Sequence, residues 1–212
     1  GDTGVSVVDG AFFTYSVNGT LTLPGENKFS IELTNIKINH TGAGDLIEID
    51  AGSSPENSPK HKISNYKFSQ EHILEHGTIL YFDVGITTRL TVGWSEGTSY
   101  EDVIIRGCNY GIKYEHNGSP NKSCASQNLR KVSIATNGSA NAVAYGIHVG
   151  SNIDIYRSCF TQVIIFAATD GAVGFYCDGR MRNCFGSINI ENNNSSLNTK
   201  GWLFDANADL LT

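Results

Sequence analysis

Short runs of alternating apolar and polar residues, separated by turns rich in Gly, Asn and Ser, recur along this chain. Thr20-Leu-Thr-Leu23 ends at Pro24-Gly25, and Phe29-Ser-Ile-Glu-Leu33, Ile36-Lys-Ile38 and Asp45-Leu-Ile-Glu-Ile-Asp50 continue the pattern. A period of two sends successive side chains to opposite faces, so each run predicts a half-buried β-strand. Residues 78–83 and 89–92 predict further strands, residues 70–76 a short helix, and residues 51–60 a loop that bulges from the body.

From residue 99 the pattern becomes periodic. Arg106-Gly-Cys108, Lys131-Val-Ser133, Arg157-Ser-Cys159 and Arg182-Asn-Cys184 share a basic-x-small form, and their third residues stand 25, 26 and 25 positions apart. Each turn also holds a Gly-led strand: Gly111-Ile-Lys-Tyr114, Gly146-Ile-His-Val149, Gly174-Phe-Tyr-Cys177 and Gly201-Trp-Leu-Phe204, at steps of 35, 28 and 27. A near-fixed period of this size marks a solenoid, because each coil sets equivalent residues above one another. Two solenoids have such a period. A leucine-rich repeat needs L-x-x-L-x-L in every turn, and only Leu33-x-x-Ile36-x-Ile38 approximates it. The reading is therefore an all-β parallel β-helix of about 25 residues per coil and roughly eight coils. Cys108, Ser133, Cys159 and Cys184 are expected as a stacked internal column, with Arg106, Lys131, Arg157 and Arg182 as a rail beside it. Residues 1–28 read as a capping segment, 29–205 as the solenoid body and 206–212 as the C-terminal end.

Composition agrees with strands and turns. The chain has 212 residues, 23 of them Gly and only four Pro, with 17% charged residues and a net charge of −6. Binding to phosphates takes clustered Lys and Arg, which are absent here, so nucleic acid is excluded as an expected partner. No run of 18 apolar residues occurs, so no membrane-spanning helix is expected. The start, Gly-Asp-Thr-Gly-Val, reads as a fragment or a processed terminus. Five cysteines cannot all pair with one another, and no C-x2-C spacing occurs, so neither a complete disulfide framework nor a metal or cofactor is expected. Seven Asn-x-Ser/Thr triplets, at Asn18, Asn39, Asn117, Asn121, Asn137, Asn193 and Asn194, arise readily in so Asn- and Ser-rich a chain.

The opening Asp9-Gly10…Leu21-Thr-Leu-Pro-Gly25, and the coil Tyr100-Glu-Asp-Val-Ile-Ile-Arg-Gly-Cys-Asn-Tyr-Gly-Ile112, resemble the pectate-lyase-like β-helices, in particular the tailspike and tail-fibre proteins of bacteriophages. The resemblance covers residues 9–205 as a pattern. It implies a right-handed, single-stranded parallel β-helix, a homotrimer, and a place on the virion tail with action outside the cell. Its implied partners are a bacterial surface polysaccharide and other tail proteins. The paired Asp motifs, Gly-His-Gly and Arg-x-Lys of the pectin-cleaving relatives are absent; Gly146-Ile-His148 has a different spacing.

Strands on adjacent coils lie ~4.8 Å apart, and glycosidases need two carboxyl groups at about 5–5.5 Å or about 6.5–9.5 Å. Stepping by the coil length puts Val103, Asn128, Asp154 and Gly179 at one level. Asp154 and Asp178 are then the expected catalytic pair, with Arg180 orienting an acidic sugar. A lyase would use His148 as base with Arg180 or Arg182 as cation. For glycan contact, Trp94, Tyr100, Tyr110, Tyr114, His116 and Asn117 form one set. Of these, Trp94, Tyr100, Tyr114 and His116, with Arg180, are the expected binding residues. The expected function is polysaccharide binding with or without depolymerisation. A non-catalytic fibre shaft or virion decoration is the alternative.

Overall fold

The structure is a computed structural model that describes residues 5–23, 30–40, 45–50, 62–68, 82–89, 95–96, 98–116, 122–136, 144–167, 170–191, 198–204 and 209–211. The helix expected at 70–76 and the loop expected at 51–60 lie outside the described residues. Every described element is a strand. The first seven are β1 (Val5–Asp9), β2 (Thr14–Val17), β3 (Leu21–Leu23), β4 (Ser30–His40), β5 (Ile47–Asp50), β6 (Lys62–Phe68) and β7 (Phe82–Arg89). Next come β8 (Ser95–Glu96), β9 (Ser99–Glu115), β10 (Lys122–Ala125), β11 (Asn128–Thr136), β12 (Tyr145–Val149) and β13 (Ile153–Tyr156). The last are β14 (Cys159–Ala167), β15 (Val173–Cys177), β16 (Arg180–Arg182), β17 (Phe185–Glu191), β18 (Lys200–Phe204) and β19 (Asp209–Leu211).

All the pairings are parallel, and they stack the strands into a β-solenoid. One face runs β1-β4-β6-β9-β11-β14-β17. A second runs β3-β5-β7-β9-β12-β15-β18, the long β9 contributing to both. The third is the separate sheet β8-β10-β13-β16-β19. From residue 95 onward the chain makes four three-sided turns. β1 pairs with β4 and β19 with β16, so both 5–9 and 209–211 belong to the stack.

The coils are longer than the basic-x-small spacing implies. Register partners Ser99, Asn128, Cys159 and Phe185 stand 29, 31 and 26 residues apart, close to 28 per turn rather than 25. The corner between the third and first faces shows how the motifs fall out of step with the coil. Ser126, Arg157 and Asn183 take left-handed backbone there, with φ of 52°, 51° and 50°. The next residue of each coil donates back to the carbonyl two positions earlier: Gln127 Nε2 to Ala125 O at 3.0 Å, Ser158 Oγ to Tyr156 O at 3.2 Å, and Cys184 Sγ to Arg182 O at 3.5 Å. These bonds satisfy carbonyls that the chain reversal removes from the ladder. Tyr156 pairs with Arg182, so Arg157 is level with Asn183, and the two basic-x-small motifs are one residue out of step. Cys184 follows Ser158 and Gln127, Cys159 pairs with Asn128 and Phe185, Ser133 pairs with Ile104 and Ile164, and Cys108 pairs with Thr136. The expected Cys108–Ser133–Cys159–Cys184 column does not form.

The interior is built from other columns. On the first face Tyr100, Leu129 and Phe160 stack in register, as do Val103, Val132 and Val163, and Ile105, Ile134 and Ile165, all at 2% exposure or less. The Gly-led strands do align: Tyr110, Tyr145, Val173 and Lys200, each just before the glycine, pair across the second face. Gly111, Gly146 and Gly174 face Ile134, Ile165 and Ile190 respectively, at distances that leave no room for a Cβ. A bulky aliphatic column on one wall thus fits a column of glycines on the next. Cys108, Cys124 and Cys177 are buried thiols, and burial pushes Cys177 up to about 11, consistent with inert core residues.

Candidate functional site

A second left-handed column crosses the middle of the first face. Asp102, Lys131 and Gln162 have φ of 53°, 53° and 55°, and each adds a residue between two inward-facing positions, as a β-bulge does. Inward residues therefore follow the order Leu129, Val132, Ile134 instead of strict alternation. The bend turns the next outward column, Ile104, Ser133, Ile164 and Asn189, into the floor of an external groove of about 680 Å³. Val132, Val163 and Ile188 form the inward column directly beneath this floor, while Asp102, Lys131, Gln162 and Ser187 supply polar groups around it. The groove crosses β9, β11, β14 and β17, and on the outer side of the ridge Glu101 is ion-paired with Arg130. Asp102 is the one carboxylate among the described lining residues, so the groove has hydrogen-bonding groups and apolar surface but not the carboxyl pair that glycoside hydrolysis needs.

The expected catalytic pair has a different arrangement. Asp154 lies on the third face, in register with Ser123 and Arg180, whereas Val103 and Asn128 lie on the first; the single level inferred from a 25-residue step does not exist. Asp154 is only 7% exposed, and both of its carboxylate oxygens accept from Arg182, Oδ1 from Nε at 3.0 Å and Oδ2 from an Nη. Arg182 also sits over the Tyr156 ring, 5.4 Å from its centroid, with Arg157 at 5.8 Å. Asp178 is half-buried between β15 and β16, its N–H donating to Val149 O at 2.9 Å. The carboxylate of Asp154 is thus committed to a structural pair that ties β13 to β16. Replacing Asp154 by Asn is expected to cost about 2 kcal/mol, the scale of a charge-assisted hydrogen bond whose partner keeps partial access to water. Urea denaturation checks this, and unchanged stability would show that the pair does not hold the coils together.

Among the expected glycan contacts, Tyr100 and Tyr114 are fully buried in the solenoid interior and present no ring to a sugar. Their alternation with polar neighbours was compatible with either face, and the bulge at Asp102 decides it for Tyr100. Burial also holds the Tyr114 phenol well above its ordinary pKa. His116 is half-buried just after β9, Arg180 is exposed on β16, and Trp94 and Asn117 lie outside the described residues.

Four partly exposed aromatic residues cluster on the second face. Tyr110 and Tyr145 lie 5.1 Å apart and 14° from parallel, and His148 and Tyr176 lie 5.0 Å apart and 11° from parallel. Tyr145 lies 5.3 Å from both His148 and Tyr176, and Tyr110 lies 5.4 Å from His148, so the four rings form one cluster. Lys113 Nζ caps the Tyr110 ring at 4.9 Å and is bound to Glu115 at 2.6 Å. The ring faces are occupied by one another and by the ammonium, so this ladder stabilises the face instead of offering platforms for sugars. Burial, followed by the Lys113 charge and partly offset by Glu115, lowers His148 to about 4, so the imidazole is neutral at pH 7.

Comparison with protein families, curated proteins and solved structures found no match to this chain.

Proposed function

We propose that this β-solenoid binds a bacterial surface polysaccharide along the groove of its first face, as a receptor-binding protein of the tailspike type. The groove carries this reading. It crosses four parallel strands, about 14 Å at ~4.8 Å per step, so an extended polymer lying across them meets side chains from every coil. Its apolar floor beside converging hydroxyl, amide and charged side chains is the usual chemistry of a ligand cleft. With one carboxylate in the groove and Asp154 held by Arg182, recognition without cleavage is the better-supported form of the proposal. Trimerisation, a right-handed coil, contact with other tail proteins and a place on the virion tail belong to the same proposal and rest on the resemblance of the coil pattern.

The test is a panel of purified capsular and O-antigen polysaccharides, with binding and polymer chain length both measured. Ser133→Arg fills the middle of the groove floor from an outward position and is expected to weaken binding at least about tenfold with no change in melting temperature. Chain length is expected to stay constant. Binding untouched by Ser133→Arg would place the glycan elsewhere, and shortening that Asp178→Asn abolishes would restore the depolymerase reading. A protein that binds none of the polymers would instead be a structural shaft or decoration.

A further inference from the structure

We infer that the polysaccharide accepted by this groove is uncharged and bears methyl groups, as 6-deoxyhexoses or N-acetylated hexosamines do, and that these methyls seat on the groove floor. This rests on the groove being the glycan site. The outward apolar groups of the floor are the branched side chains of Ile104 and Ile164, and no aromatic ring is among the described lining residues. A sugar face dense in hydroxyls would lose hydration there without gaining partners, which disfavours it. A methyl group gains by the same burial.

The outward column gives the order in which a ligand meets these surfaces: Ile104, then the Ser133 hydroxyl, then Ile164, then the Asn189 amide. Two apolar seats therefore stand two coils apart, about 9.6 Å, with hydrogen-bonding groups between and beyond them. Charge completes the selection. Asp102 and Lys131 are the charged residues among the described lining, one of each sign on adjacent coils, and Glu101 outside is paired with Arg130. A lining with no net charge matches an uncharged polymer, whereas a uronate-rich chain would lose at Asp102 what it gains at Lys131.

The experiment uses the bound members of a polysaccharide panel of known composition. N-acetylated polymers are de-N-acetylated and then re-acylated with either acetyl or formyl, which keeps the amide and removes only the methyl. Polymers of 6-deoxyhexose are paired with the corresponding hexose polymers. Each methyl lost is expected to weaken binding about tenfold, and Ile164→Asn is expected to remove most of that difference between partners. Equal binding of formyl and acetyl forms, together with equal binding of hexose and 6-deoxyhexose polymers, overturns the inference while leaving the groove as the glycan site. Preferential binding of uronate polymers also overturns it. If no polymer binds and Ser133→Arg changes the oligomeric state, the groove is an interface between copies, and both the inference and the glycan reading fail.

Discussion

Gly146→Val is expected to prevent folding, whereas Gly201→Val, the same substitution at the last position of the same column, is expected to be tolerated. A Cβ at Gly146 would lie 2.4 Å from Ile165 Cγ2 and 2.6 Å from the carbonyl oxygen of Gly174 on the next coil. The first contact is with a buried side chain on the opposite wall and the second is with backbone, so no rotamer change relieves both. At Gly201 the nearest atom is Ile190 Cδ1 at 3.9 Å, an ordinary contact. Overpacking usually costs about 1–3 kcal/mol, and here backbone on the neighbouring coil must move as well. Against a typical stability of roughly 5–15 kcal/mol, a loss beyond ~3 kcal/mol leaves little folded protein. Strand propensity predicts the opposite sign, since Val favours strands over Gly. Circular dichroism and urea titration of the two variants distinguish these accounts. Similar midpoints for both would mean that the glycine column is not set by the isoleucine column it faces.

This contrast also shows which periodicity in the sequence recorded the fold. The Gly-led strands, at steps of 35, 28 and 27, mark true register, because close packing against Ile134, Ile165 and Ile190 leaves no alternative residue. The basic-x-small motifs do not, because they fall at different places in the coil: Arg106 and Lys131 lie within first-face strands, Arg157 lies at a corner, and Arg182 lies on the third face one residue before the matching corner. A better marker was present in apolar-x-x-apolar-x-apolar: Tyr100-x-x-Val103-x-Ile105, Leu129-x-x-Val132-x-Ile134 and Phe160-x-x-Val163-x-Ile165. Leu33-x-x-Ile36-x-Ile38, which approximates a leucine-rich repeat when taken alone, is the same coil motif, with Asn35 in left-handed backbone at φ 52°. The doubled spacer is the bulge.

The groove was hidden for the same reason. Its ridge uses Asp102, Lys131 and Gln162 in left-handed conformation where Gly or Asn would have signalled a bend, and under strict alternation the side chains beyond each bulge are assigned to the wrong face. Ile104 and Ile164 then pass for core residues, although they line an external surface. The Asp154–Asp178 pair shows the reverse error. A sequence step can bring two acids near one another, but it cannot reveal that one of them already has an arginine partner, because Arg182 reaches Asp154 diagonally from two residues beyond its register position. The contacts among Tyr110, Tyr145, His148 and Tyr176 depend on a coil register that the 25-residue step misplaced.

Acidification is expected to destabilise the solenoid through His148, with the loss concentrated between pH 6.5 and 4. The ring packs against Tyr110, Tyr145 and Tyr176, and Nδ1 is buried with no hydrogen-bond partner among the described residues, so a proton there is poorly solvated. Lys113 opposes the proton as well, while Glu115 favours it, and the outcome is a folded value of about 4 against the ordinary 6.5. The unfolded chain therefore takes up the proton first. Stability is complete above about pH 6.5, declines as pH falls through the interval, and levels off below the folded value. At ~1.4 kcal/mol per unit, the whole contribution is about 3 kcal/mol. His148→Phe keeps a flat ring in the stack and removes the titration, so its stability should be nearly flat over the interval once the behaviour of the remaining groups is subtracted. Lys113→Met leaves Glu115 to favour the imidazolium and should shrink the loss without abolishing it. Chemical denaturation of the three proteins at pH 7, 6, 5 and 4 provides the comparison. If the wild type and His148→Phe lose stability in parallel, the aromatic stack tolerates a charged ring, and the acid sensitivity of the fold resides elsewhere.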